Sequence, residues 1–232
     1  MTEEFRPFTL THAIVLAAIA TLIGLLVSYA RRAHPDTRLH LERVLATINA
    51  LLWLVIQGWW MLPPRFDPAT SLPLHMCHLV SLLASVTLLA PRRWLRTLLY
   101  FWGIGLCSQA LITPSLREPP SSVWFWAFWV EHGLLMAIAV YDLVVRQYRP
   151  TWRDYGIACA AALAYLAVVL PLDIALQTDY GFVGASKPET PSILDLLGPW
   201  PERLTSIVII VAAAMAALML PWSLAKAASQ HS

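Results

Sequence analysis

The amino-acid sequence predicts an all-α polytopic membrane protein, a bundle of about seven transmembrane helices with its N-terminus outside and its C-terminus in the cytoplasm. Three observations lead there. Of the 232 residues, 58% are hydrophobic and 13% charged, with a mean hydropathy of +0.61, whereas soluble chains carry roughly 25% charged residues. Long Leu, Ala, Val and Ile runs lack two-residue alternation, which selects helices over a β-barrel as the way to satisfy the backbone in lipid. Basic residues, finally, gather on every second connection.

A crossing helix needs about 20 apolar residues, and seven segments qualify within one domain, 1–232. The first, Phe8–Ala30, comes after the acidic Glu3 and Glu4, so it does not resemble a cleavable signal. The second, Leu41–Leu62, stops at Pro63 and Pro64. The third, Leu72–Ala90, lies around Pro73 and ends at Pro91; the fourth, Trp94–Thr113, ends at Pro114. Pro119 and Pro120 precede the fifth, Ser122–Arg146, and Pro150 precedes the sixth, Asp154–Gln177. The seventh is Leu204–Ala225.

Orientation comes from charge. Arg31, Arg32, Arg38 and Arg43 fill the first connection, Arg92, Arg93 and Arg96 the third, and Arg146, Arg149 and Arg153 the fifth. Such loops stay cytoplasmic, which puts Lys226 inside. The other connections carry Asp67, Glu118, Asp179, Glu189 and Asp195. Trp59, Trp60, Trp124, Trp126, Trp129 and Trp200 then fall near the outer face, where aromatic belts form. The longest outer connection, Gln177–Glu202, has the length of a lid or binding element. No basic run resembles a nucleic-acid patch, and the partners expected are membrane phospholipids.

Ionisable groups inside a span usually have a task or a partner. His75, Cys77 and His78 stand in the first two turns of the third segment, with Cys77, Ser81 and Ser85 on one face at spacing four. Gln109 and Thr113 share a face before Pro114, Glu131 and His132 precede Gly133, and Asp173 lies near the outer end of the sixth span. All belong to the outer half, which suggests a polar pocket. A thiol and an imidazole make a nucleophile–base pair. His75, Cys77, His78 and His132 also suit a soft metal, although the spacing lacks two ligands at i and i+4. Plain interhelical hydrogen bonding, without chemistry, is the third reading. A transporter is disfavoured by the absence of a visible internal repeat. Three cysteines, Cys77, Cys107 and Cys159, do not make a disulfide framework.

The runs LPLHMC, YFWGIGLCSQALITP, FWVEHG, TDYGFVGASKP and SILDLLGPWP, in that order from about Leu72 to Pro201, resemble the bacterial YwaF-like integral membrane proteins. That family is similar to a eukaryotic membrane acyltransferase that loads arachidonoyl chains onto ether phospholipids, and more distantly to hydrolases of hydroxy-fatty-acid esters. The resemblance implies a bacterial plasma membrane location, no cofactor, Cys77 as nucleophile and His132 as general base. His75, Gln109, Thr113, Asp173 and Tyr180 become expected substrate contacts. Two positions depart from the family pattern, since Asp173 and Asp179 stand where relatives carry asparagine. The leading expectation is a membrane-embedded lipid acyltransferase or lipid acyl-ester hydrolase. The alternative is a non-enzymatic membrane binding protein holding a lipid or metal in the same pocket.

Overall fold

Apolar runs with proline and capping residues at their ends become helices, and a computed structural model describes them for residues 4–185 and 197–229. Thr9 caps α1 (Leu10–Arg32) by accepting the His12 amide, and Arg31 and Arg32 complement the dipole at its other end. Pro35 opens α2 (Pro35–Met61) at the position where its missing N–H costs nothing. A shorter helix, α3 (Met76–Leu89), comes next. The fourth, α4 (Arg93–Ile112), is α-helical at both ends and a π-helix over Leu99–Cys107. Ser122 caps α5 (Val123–Val144). Thr151 and Asp154 form a reciprocal capping box at the start of α6 (Trp152–Leu176), which ends where Gln177 turns left-handed. The last two are α7 (Arg203–Ala217) and α8 (Leu220–Ser229).

Among the described residues, six stretches are long and apolar enough to cross a membrane: Leu10–Arg32, Pro35–Met61, Arg93–Ile112, Val123–Val144, Trp152–Leu176 and Arg203–Ala225. The expected third span differs. Only 14 residues of it are helical, a rise of roughly 21 Å. Pro73 disfavours helix in the residue before it, and Leu72–His75 forms turns instead, with the Leu74 amide donating to the Leu72 carbonyl at 2.8 Å.

The chain divides into two compact units. One comprises the chain up to Ile56 together with Val80–Tyr148; the other comprises Gln57–Leu79 and the chain from Arg149 onward. In the first unit, α1 lies on α5 where Gly133 leaves room for Ile19, at 3.3 Å from a would-be Cβ. A cluster of Phe5, Val15, Leu111, Phe125, Trp129 and Met136 fills one region of it. Trp129, expected in an interfacial belt, is instead 2% exposed inside this cluster. His12 sits beside it, its Nε2–H donating to the Leu111 carbonyl at 2.8 Å and its Nδ1 accepting the Phe8 amide at 3.0 Å.

The same unit contains an ionic clamp. Arg96 donates through Nε to both oxygens of Asp142, at 3.0 and 2.9 Å. Arg146 grips Glu42 through Nε at 2.9 Å and Nη2 at 2.5 Å, and Tyr141 donates to the same carboxylate at 2.8 Å. Arg146 also donates to the carbonyls of Thr87 and Leu88, at 2.9 and 2.7 Å, closing the end of α3. Elsewhere on α3, Asn49 of α2 donates to the Ser81 carbonyl and to Ser85. So the polar face expected on α3 serves helix packing at Ser81 and Ser85.

Candidate functional site

The second unit assembles most of the candidate residues, and local backbone chemistry explains how. The His75 carbonyl accepts the Leu79 amide at 3.3 Å, so His75 ends the turn and Cys77 falls in the first turn of α3. The thiol is partly buried. In the connection after α6, Gln177 stops the helix and Asp173 organises the next turn of chain. Its Oδ1 accepts from the Thr178 hydroxyl at 2.6 Å and from the Tyr180 amide at 2.9 Å. Its Oδ2 is buried and receives no hydrogen bond from the described residues.

Tyr180 then stitches this connection to the one before α3. Its hydroxyl donates to the Pro68 carbonyl at 2.6 Å and accepts the Leu72 amide at 3.0 Å. Tyr165 of α6 donates to the Leu74 carbonyl at 2.8 Å. Burial raises the Tyr180 pKa; the Leu72 amide opposes this, and the Asp67 and Asp173 charges add to it. The phenol therefore remains a neutral hydrogen-bonding group at physiological pH. The His75 ring lies 5.0 Å from that of Tyr180, 5.7 Å from His78 and 6.1 Å from Phe182. The Gly181 amide points at His75 Nδ1 at 3.5 Å, which assigns the ring proton to Nε2.

Two glycines make this turn possible. Gly181 has φ +64°, and a Cβ there would meet the Tyr165 hydroxyl at 2.5 Å. A Cβ on Gly184 would lie 2.0 Å from the Thr178 carbonyl oxygen and 2.9 Å from Asp179 Cα, both backbone atoms. Gly184→Ala is therefore expected to lower the stability of the protein by more than about 1 kcal/mol, read as a drop in detergent-solubilised Tm. Gly24→Ala on α1, where nothing lies within 4 Å, is the control that leaves Tm unchanged or raised.

Asp179 has local partners in this turn. Its Oδ1 accepts the Gly184 amide at 2.8 Å and lies 3.6 Å from the Arg203 guanidinium, which also donates to the Gly184 carbonyl at 2.6 Å. A carboxylate matches that buried cation, whereas an amide would not. Arg203 gives no signal in the sequence beyond its place at the start of an apolar helix. Trp200 adds a bond from Nε1 to the Val183 carbonyl at 3.1 Å. The centre of the expected lid, residues 186–196, lies outside the described residues.

The structure thus brings His75, Asp173 and Tyr180 together with the start of the Cys77 helix. The remaining candidates belong to the first unit. Gln109 donates to Thr113 one turn on, and Gln109 is exposed. His132 is buried on α5, with Nδ1 2.8 Å from the Phe128 carbonyl. A carbonyl can only accept, so the proton of the neutral ring belongs on Nδ1 and Nε2 is the acceptor nitrogen. Among the described residues, no three His, Cys, Asp or Glu side chains are placed to hold a metal ion.

The sequence model of the TMEM164 family matches residues 7–219. The match includes α1 and α2, which the LPLHMC-to-GPWP motifs leave out. No curated protein and no solved structure matches the chain.

Proposed function

The chain belongs to the TMEM164 family, and from that premise we propose that this multi-pass membrane protein is a lipid acyltransferase or lipid acyl-ester hydrolase, with Cys77 as nucleophile and His132 as general base. The observation that carries the reading is the setting of Cys77. It stands in the first turn of α3, next to His75 and the turn that Asp173 and Tyr180 hold. The thiolate is the attacking form, and helix N-termini and neighbouring imidazoles favour it. The sequence motifs around Cys77 and His132 point to the same pair.

The chemistry balances in two halves. An imidazole takes the thiol proton, the thiolate attacks the ester carbonyl of a membrane phospholipid, and the bond to the leaving alkoxide breaks as that oxygen takes the proton back. A Cys77 thioester results. A second alcohol, or water, loses its proton to the imidazole and attacks the thioester carbonyl; the C–S bond breaks, the acyl group leaves as the new ester or the free acid, and the Cys77 thiolate takes the proton back from the imidazolium. Transfer and hydrolysis share the first half and differ only in the acceptor. His132 suits the base because its Nε2 is the acceptor nitrogen. His75 does not, because Gly181 occupies its acceptor nitrogen; its Nε2–H suits polarising the ester carbonyl instead. Gln109, Thr113, Asp173 and Tyr180 are the proposed substrate contacts.

A lipid-like activated-ester probe on the detergent-purified protein tests the reading. Mass spectrometry is expected to place the acyl adduct on Cys77, with the adduct lost in His132→Ala. Equal labelling of Cys77, Cys107 and Cys159 would sink it.

We further propose that α3, with the turn before it, makes a seventh crossing in a bacterial plasma membrane, the N-terminus outside and the C-terminus inside. Non-helical backbone is tolerated at membrane depth where protein buries it, and Leu72 and Leu74 pack against Val169, Tyr180 and Val183. Seven crossings put the termini on opposite faces, six on the same face. Reporters fused at each end are expected on opposite sides, the C-terminal one cytoplasmic.

A further inference from the structure

One face of α2 joins a cationic end to an apolar strip, and the packing of the first unit leaves it open. His40, Arg43, Val44, Thr47 and Ile48 recur there at helical spacing. All five are exposed, and together they line an open groove of about 320 Å³. The stripe continues through Leu51 and Val55, which are 55% and 68% exposed. Roughly 18 Å of helical rise separates Arg43 from Val55, a little over half of a hydrocarbon core of about 30 Å. The apolar strip is therefore about as long as one leaflet is deep. Its cationic end is not consumed by the fold. Among the described residues no acid pairs with Arg43. Glu42, its neighbour in sequence, holds Arg146 and Tyr141, and Asp36 lies 3.4 Å from His34.

We infer that this groove docks one anionic phospholipid, with its phosphate on Arg43 and His40 and an acyl chain along Val44, Ile48, Leu51 and Val55. An arginine fork matches phosphate oxygens, and a histidine N–H donates to them in either protonation state. Thr47, about one turn deeper than Arg43, brings a hydroxyl to the level of the ester carbonyls. No carboxylate lines the groove to meet the ammonium of a zwitterionic headgroup, so a net negative lipid is preferred. A second copy of the chain fits less well. Two copies meeting on this stripe in one membrane would set Arg43 against Arg43 at the same depth. The groove includes neither Cys77 nor His132, so the inference stands apart from the acyl-transfer reading.

The test titrates detergent-purified full-length protein with phosphatidylglycerol or with phosphatidylcholine of identical acyl chains, and reads bound lipid by native mass spectrometry. Phosphatidylglycerol is expected to bind about fivefold or more tightly, as one basic side chain near a membrane surface allows. In Arg43→Gln that preference is lost while phosphatidylcholine binding stays unchanged. Arg31→Gln, an exposed cation of the same connection outside the groove, retains the preference. Equal binding of the two lipids to the wild-type protein would overturn the inference, and that comparison needs no variant. An equal loss in Arg31→Gln and Arg43→Gln would overturn it too, leaving only diffuse positive charge. Displacement of the lipid by an equal concentration of inorganic phosphate would do the same, because the apolar strip would then contribute nothing. A dimer that Arg43→Gln strengthens would assign the stripe to a second copy instead.

Discussion

Cys77→Ala is expected to reduce acyl turnover to background, and Cys77→Ser to reduce it by on the order of a thousandfold or more, with the thermal stability of both variants close to wild type. Alanine removes the nucleophile. Serine keeps its position but offers a hydroxyl that gives up its proton far less readily than a thiol, so the same imidazole generates little attacking species. Stability is spared because Cys77 is small and only partly buried. The assay tracks transfer of a fluorescent acyl chain from a phospholipid to a lyso-lipid, or its release as free acid, in vesicles containing purified protein. Cys159→Ala serves as the internal comparison and retains turnover. Cys107 is 3% exposed in the π-helical stretch of α4, so Cys107→Ala is read for stability as well as rate. Wild-type turnover in Cys77→Ser would remove the mechanism proposed for this chain.

Hydropathy alone makes most of the helical architecture legible, because a lipid-spanning helix must be apolar over its whole length. Leu10–Arg32 and Trp152–Leu176 are of this kind. The third segment shows where that reasoning stops. Apolar residues continue through Leu72, Pro73 and Leu74, but the backbone forms turns there and uses Tyr180 and Tyr165 as partners. Composition carries no information about partners more than 90 residues away in the chain. The candidate site is legible in the same partial way. Motif chemistry picks out His75, Asp173 and Tyr180, which the fold brings together, and also Gln109 and Thr113, which the fold pairs with each other in the other unit. It misses Arg203 and Gly184, whose roles depend on a turn geometry that no local pattern announces. It likewise misses the π-helix over Leu99–Cys107, since an i to i+5 backbone has no side-chain signature of its own.

Arg146 reads in the sequence as one more cytoplasmic charge, and the structure gives it a heavier task. Four of its hydrogen bonds go to Glu42 Oε1, Glu42 Oε2, the Thr87 carbonyl and the Leu88 carbonyl, and its side chain is only 14% exposed. With Arg96 and Asp142 the group is electrically balanced, two cations against two carboxylates, and Asp142 lies 4.0 Å from Arg146 as well as against Arg96. Removing one member leaves buried charge uncompensated, which costs about 3–5 kcal/mol. Arg146→Ala is therefore expected to be the most destabilising single substitution in this group. It strands the Glu42 carboxylate and reopens the two carbonyls at the end of α3 together. Glu42→Ala strands Arg146 and the Tyr141 hydroxyl, yet leaves Arg146 its two carbonyls, so its cost should be smaller. Arg146→Lys should rescue little, because one ammonium cannot reproduce a planar fork that serves a carboxylate and two carbonyls in different directions. Denaturation of the detergent-solubilised protein measures all three. The double variant Glu42→Ala with Arg146→Ala supplies the decisive comparison: it should be less destabilised than the sum of the two alanine singles, because no buried charge from this pair then remains. Simple additivity, or a Tm unmoved by Arg146→Ala, would show that the clamp does not hold α2, α3 and α5 of this unit together.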